Sequence, residues 1–535
     1  MFDVLIRNAK VVDGSGAPWF YGDVGVVRDR IVGVAAHLDG DARCVIDAGG
    51  RVASPGLIDM HCHDDLTQLR DEATMAKTFQ GVTLVVTGNC GFSTFPAATS
   101  GRALSFARLA SASGDVTEET LDSSFADYKA RISRNGSLVN VAGLVGHGSI
   151  RVAVMGYDKR EPTVGELRAM QSLTAEAMNQ GALGLSLGLL YVPDAYADAD
   201  ELTALARAVA SMGGLLAAHV RTYETHLIDS AKELVGILAR SGARGQLSHL
   251  QAGGRGNWGK VNDVLQLMDE AREQGIDIMC DMYPYTAGST GLNTLFPPWT
   301  QEQDGVRRLS ELLKDPVMRA RIRHETVFGE GGKLWEAKVP LIGWENISVA
   351  FVPSQDLKDC EGKSLAQLGK AKGRDPFDVL VDLVCANEGC TKGIMFSFDP
   401  KDIETVYKSR LHVVCSDGLW ASQGAPHPRH SGTFARVIRV FVCEERFLTL
   451  ENAVRKMTSM PAQRLGLMDT GLLRAGMRAD IAVFEPTEVQ DRATFAEPRL
   501  LASGFSYVIV NGKLVLQDGQ LTGQRPGKAL THSSA

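Results

Sequence analysis

The sequence predicts an α/β protein whose body is a series of parallel βα units and whose two ends share a small β unit. Two observations carry this. From about residue 58 to 470, brief β-rich runs alternate with amphipathic stretches such as "DADELTALARAVASMGG" and "GKVNDVLQLMDEAREQG", each closing on the glycine that a helix C-terminus favours. Alternation of that kind marks parallel strands joined by crossover helices. The two ends of the chain read instead as strands alone.

Residues 1–57 give "DVLIRNAKVVDG", "DRIVGVAA" and "RVASPG", punctuated by glycine and without an amphipathic helix. Residues 471–520 return to the same texture in "GLLRAGMRADIAVFEP" and "FSYVIVNGKLVLQDGQL", the second carrying an Asn-Gly turn signal between two apolar runs. The β unit is therefore split between the chain ends. Between about 293 and 395, "NTLFPPWTQEQDGVRRLSELLKD" and the residues after it do not read as βα units, so an insertion is expected, serving either as a lid or substrate-binding loop or as a peripheral packing subdomain. Residues 521–535, "LTGQRPGKALTHSSA", are polar and unpatterned and are expected to form a loosely ordered tail.

Composition narrows the function classes. A chain of 535 residues with 44% hydrophobic and 22% charged residues has the balance of a globular enzyme. Its net charge of -7, without long charge runs, argues against nucleic acid or an anionic membrane as partner. The start, "MFDVLIRNAKVVDG", alternates like a strand and lacks a basic segment followed by a long apolar run, so a cytoplasmic location is expected. The nine cysteines show no regular spacing, which points to reduced thiols rather than a disulfide framework.

Within the alternating region, five apolar runs end in residues able to bind a metal. They are "GLIDMHCH" with His61 and His63, "GVTLVVTGNC" with Cys90, "GGLLAAHV" with His219, "RGQLSHL" with His249, and "LHVVCSD" with Asp417. Parallel barrels gather catalytic groups at the C-terminal ends of their strands. His61 and His63 are two apart, so on a strand both project to one side while Cys62 projects to the other. A lone histidine is ordinarily a packed or surface residue, but six donors at successive strand ends form a metal-site pattern. Imidazoles with one thiolate suit Zn²⁺, with a carboxylate completing the shell, and a thiolate can serve one ion or bridge two. Such a metal supports hydrolysis. Beside it, Asp417 can take a proton from attacking water and return it to a departing amine.

Four further residues are candidates for contact with substrate. Arg429 in "HPRHSGTF" has the planar fork that binds carboxylates, although arginine is by default a surface residue. Tyr283 and Ser289 in "YPYTAGST" offer hydroxyls at the next strand end. His147 in "LVGHGS" is equally consistent with a plain hydrogen-bonding residue and with a place in the pocket.

Together these residues resemble the N-acyl-D-amino-acid deacylases (D-aminoacylases) of the amidohydrolase superfamily. The motifs "ASPGLIDMHCHDD", "GVTLVVTGNCGFS", "GALGLSLGLLYVP", "AHVR", "LSHLQAGGRGNWGK", "MYPYTAGST", "CSDG", "HPRHSGTFARV", "MTSMPAQRLGL" and "GLLRAGMRADIAVFEP" follow the family in order over about residues 3–515, with about 297–395 matched least. The resemblance implies a (β/α)8 TIM-like barrel with a small β-sandwich built from both termini. It assigns Cys90, His219 and His249 to a tight zinc site, His61 and His63 to a second, weaker site sharing Cys90, and Asp417 to general acid/base work. It places Arg429, Tyr283 and Ser289 on the substrate's α-carboxylate.

The implied reaction is hydrolysis of an N-acyl-D-amino acid, a small molecule, to a D-amino acid and a carboxylic acid. Hydantoinases and dihydroorotases typically bridge two metals with a carboxylated lysine, whereas "GALGLSLG" presents none and Cys90 takes the bridging role, favouring a linear amide over a cyclic one. Many relatives carry a lysine in "SHHK"; here "SHLQ" puts Leu250 and Gln251 there, which disfavours an acidic substrate side chain and favours a neutral or apolar one. An amidohydrolase for a cyclic or other small amide is the alternative. A non-catalytic binding protein on the same fold would be expected to have lost ligands, and all six are present.

Overall fold

The computed structural model describes residues 1–67, 69–97, 101–111, 116–329 and 335–531. Its centre is a barrel of eight parallel strands: β1 (Leu57–Asp59), β2 (Val82–Thr87), β3 (Asn140–Gly143), β4 (Gly184–Gly188), β5 (Leu215–His219), β6 (Arg244–Leu247), β7 (Ile278–Met282) and β8 (His412–Val414). Neighbours pair in chain order. The short piece Val145–Gly146 carries β3 across to β4. The ring closes just beyond β1 and β8, where Asp417 N donates to His61 O at 2.8 Å and His63 N to Gly418 O at 2.8 Å.

The strands are buried on both faces, as their continuous apolar runs require. Outside them lie the helices the periodicity predicts. Ala199–Ser211 is capped by Asp198, whose side chain accepts from the N–H groups of Asp200 and Glu201. Lys260–Glu273 runs out at Gly275, at φ 85°. Among the described residues no helix is long and apolar enough to cross a membrane.

Both ends of the chain contribute to one nine-stranded sheet. Phe2–Val11 pairs with Phe20–Val27 along one edge and with Ala42–Asp47 and Val52–Pro55 along the other, and Val52–Pro55 pairs in turn with Ile481–Phe484. Val4, Ile6, Val24, Ile46, Ile481 and Ile509 share a core separate from that of the barrel. The Asn-Gly turn joins Phe505–Val510 to Lys513–Gln517, with Asn511 at φ 47° and Gly512 at φ 74°, the two positive values that a tight hairpin needs.

Asp480 lies at the seam between this sheet and the barrel, accepting from Asn140 Nδ2 at 3.0 Å and from Asn511 N at 2.6 Å. Burial pushes its carboxyl up to about 6 against the opposing pull of the Asn511 N–H. The folded protein therefore binds this proton more tightly than the unfolded chain does. The stabilisation is complete below about pH 4 and is lost as the pH rises through about 6. Asp480→Asn is expected to flatten that part of the stability curve, measured as denaturant midpoints between about pH 4 and 7.

Two expectations are corrected. Residues 521–531 are not a loose tail: Gly527 N donates to Ser137 O, Val141 N to Lys528 O and Leu530 N to Val141 O, and Leu530 is buried. Backbone pairing with β3 does this work, so the polar side chains carried no pattern to read; residues 532–535 lie outside the described residues. The insertion also begins earlier than residue 293. Ala287–Gly291 pairs with Lys392–Phe396, which pairs with Ile347–Phe351, and a separate core including Leu292, Phe296, Leu309, Val349 and Leu380 packs beneath them. The insertion is thus both a packed subdomain and one wall of the cleft at the barrel mouth.

Candidate metal centre

Every strand end named from the sequence as a metal-ligand candidate reaches one place at the barrel mouth. Cys90 Sγ lies 3.3 Å from His61 Nε2, 3.6 Å from His219 Nδ1 and 3.6 Å from His249 Nε2. Asp417 Oδ1 lies 3.0 Å from His63 Nε2 and 3.3 Å from His61 Nε2. Two overlapping groups result, Cys90 with His219 and His249, and His61 and His63 with Cys90 and Asp417.

The donor set fits zinc. Zn–S of about 2.3 Å and Zn–N of about 2.0–2.1 Å at a tetrahedral angle put sulfur and nitrogen about 3.6 Å apart, the separation found from Cys90 to His219 and His249. Burial alone would push the Cys90 thiol up, but the His61 ring and hydrogen bonds from His219 and His249 outweigh it and hold the thiol well below its usual range. Burial, then the neighbouring His249, pushes His219 down to about 4. A thiolate beside a neutral imidazole is the protonation state that metal binding requires.

Local backbone geometry aims these groups. Cys90 (φ 52°), His249 (φ 35°) and Asp417 (φ 47°) all occupy the left-handed region, which costs non-glycine residues about 1–3 kcal/mol each and persists where surroundings over-determine it. Asp281 does so for His249, accepting from its N–H at 2.7 Å while facing His61 Nδ1 at 3.3 Å. Before Cys90 the chain turns at Gly88, where a Cβ would meet Leu144 O at 1.9 Å. Asp417 is anchored through its neighbour: Asp59 accepts from Ser416 N and Lys77 Nζ, and Lys77 also donates to Ser416 Oγ.

The surroundings of Asp417 favour its charged form. Burial would raise its pKa, but Arg429, His249 and His61 hold it well below the usual carboxylate range. Arg429 Nη1 lies 2.6 Å from Asp417 Oδ2, and Nη2 donates to Ser289 O at 3.2 Å. The guanidinium rests over the Tyr283 ring at 4.6 Å, and the Tyr283 hydroxyl donates to Gln251 at 2.9 Å. Far from being a surface residue, Arg429 is buried.

His147 is placed elsewhere. Its ring is wholly buried between Glu201 (2.9 Å) and Asp194 (3.1 Å) and does not line the cleft, so the plain hydrogen-bonding role is the one the structure gives it. Sequence reasoning missed Asp281, Tyr191, Lys392 and the buried Lys338–Glu224 ion pair that lines the cleft. Asp281 could have been found, because a carboxylate inside the apolar run "IDIMCDM" needs a partner.

The model of the amidohydrolase family matches residues 44–311 and 403–516. The N-acyl-D-glutamate deacylase of Alcaligenes xylosoxydans xylosoxydans is 33% identical over 534 residues, spanning 100% of this chain and 97% of that protein. Among solved structures, the N-acyl-D-glutamate deacylase of Bordetella bronchiseptica, complexed with zinc and a phosphonate mimic of the tetrahedral intermediate, superposes with a TM-score of 0.84 at 32% identity over 99% of each chain. A D-aminoacylase described with a binuclear centre, one-metal activation and second-metal attenuation gives 0.83 at 32% identity, over 99% of this chain and 100% of that one.

Proposed function

The chain belongs to the N-acyl-D-amino-acid deacylase branch of the amidohydrolase family and is a hydrolase of linear amide bonds, and from that premise we propose that it uses zinc to release D-amino acids with neutral or apolar side chains. The observation that carries the reading is the convergence of Cys90 with three imidazoles beside Asp417 and Arg429. The end of β4 offers no lysine to bridge metals, which supports a linear over a cyclic amide.

Cys90, His219 and His249 would hold the tight metal, with His61 and His63 shaping a weaker position that shares Cys90. Bound zinc supplies a water whose pKa falls to about 7 and a Lewis acid for the amide carbonyl. Asp417 would take the proton of the attacking water and pass it to the departing amine. Arg429, with Tyr283 and Ser289, holds the α-carboxylate. A carboxylate arriving on Arg429 competes with Asp417 for the guanidinium and so frees the base from its ion pair. The side chain enters the lobe lined by Leu190, Gln251, Ile342, Met395 and Phe398, where Gln251 supplies no positive charge and the ammonium of Lys338 is already paired with Glu224.

A panel of N-acetyl-D- and L-amino acids, assayed with and without chelator, tests the reading. Expected are D-selective release, loss with chelator and recovery on adding zinc. Faster turnover of a 5-substituted hydantoin than of any N-acyl-D-amino acid would overturn it.

A further inference from the structure

A second lobe of the cleft opens beyond His63, Tyr191 and Arg429, between the barrel and the insertion. Phe92, Phe106, Leu109 and Val192 give it an apolar wall, Ser289, Thr290, Asn293 and Thr294 add neutral polar groups, and Lys392 is its one ammonium. Lys392 begins the strand Lys392–Phe396, opposite Gly291 and Phe351, and is only 3% exposed. Its ammonium donates to Leu109 O, and among the described residues no carboxylate lies within ion-pair distance.

A buried ammonium without a counter-charge is costly. Lys77 and Lys338 face Asp59 and Glu224, and Lys456 is spent on the carbonyls of Ser409 and His412. Lys392 alone among these four lines this lobe, and among the described residues only one of its three donors is used, on Leu109 O. Burial pushes it down to about 8, so it still carries its proton at neutral pH.

Resting on the deacylase reading, we propose that this lobe is the acyl subsite and that Lys392 recognises an anionic end on the acyl chain, so that the preferred substrates are N-(ω-carboxyacyl)-D-amino acids. Apolar walls suit the methylene chain, and Lys392 pairs with the terminal carboxylate. The side-chain lobe beyond Gln251 meets this one at His63, Tyr191, Ser289, Thr290 and Arg429, and Lys392 lines only the acyl lobe.

The test compares kcat/KM for N-glutaryl-D-leucine with that for N-pentanoyl-D-leucine, acyl chains of equal length that differ in the terminal carboxylate. Wild type is expected to favour the glutaryl compound by at least about 10-fold, the scale of a charge-assisted hydrogen bond. K392M is expected to lose at least about 10-fold of that ratio, and K392R to keep most of it. Because both substrates are read in one preparation, partial unfolding of a variant leaves the ratio unchanged. An equal loss on both substrates in K392M would make Lys392 a helix-end cap on Leu109 and overturn the proposal, as would a wild-type preference for the pentanoyl compound. Hydrolysis of neither would overturn the deacylase reading and this proposal with it.

Discussion

Asp417→Asn is expected to lower kcat by about 10³-fold while the bound metal stays at the wild-type amount. General acid/base groups contribute about 10²–10⁴-fold, and Asp417 is the ionised carboxylate that faces the donor cluster on one oxygen and Arg429 on the other. Asparagine keeps the shape and removes the charge, so it can neither accept the proton of water nor return it to the amine. The thiolate and imidazoles of the tight group are untouched by the change. Steady-state rates and metal analysis on one preparation decide it, and near-normal turnover would remove Asp417 from the mechanism.

Cys90→Ala is expected to be at least as severe by another route. Both donor groups contain Cys90, and its sulfur lies within 3.3–3.6 Å of three ring nitrogens. Its loss leaves His61, His219 and His249 without their common anion. Purified Cys90→Ala should hold well under one equivalent of zinc, unrecovered on adding the metal, with activity reduced by about 10³-fold or more. The matched comparison is His61→Ala with His63→Ala, which should retain one tightly bound zinc. Loss of all metal from that double variant would reverse the ranking of the two positions.

Much of this arrangement was legible because a parallel barrel converts one-dimensional order into a ring: residues that end successive apolar runs must emerge on one face. His61, His63, Cys90, His219, His249 and Asp417 could therefore be collected without knowing any contact. What escaped depends on pairing across long sequence separations. Lys338 meets Glu224 across 114 residues, and Lys392 reaches the lobe only once Lys392–Phe396 pairs with Ala287–Gly291. The ordered segment at 527–530 escaped for a different reason, since backbone bonds to β3 leave no trace in side-chain periodicity.

The sheet shared by the two ends also sets an order of events during synthesis. Val52–Pro55 leaves the ribosome early, yet its partner Ile481–Phe484 emerges more than 400 residues later, after the whole barrel. Until then the nascent chain carries an open, apolar strand edge, the kind of surface that pairs with the wrong neighbour. The barrel can collapse as it emerges, whereas the sheet is completed only as the last strands arrive. A message cut short between residues 417 and 481 would thus leave a product with its candidate metal ligands complete and its aggregation-prone edge uncovered.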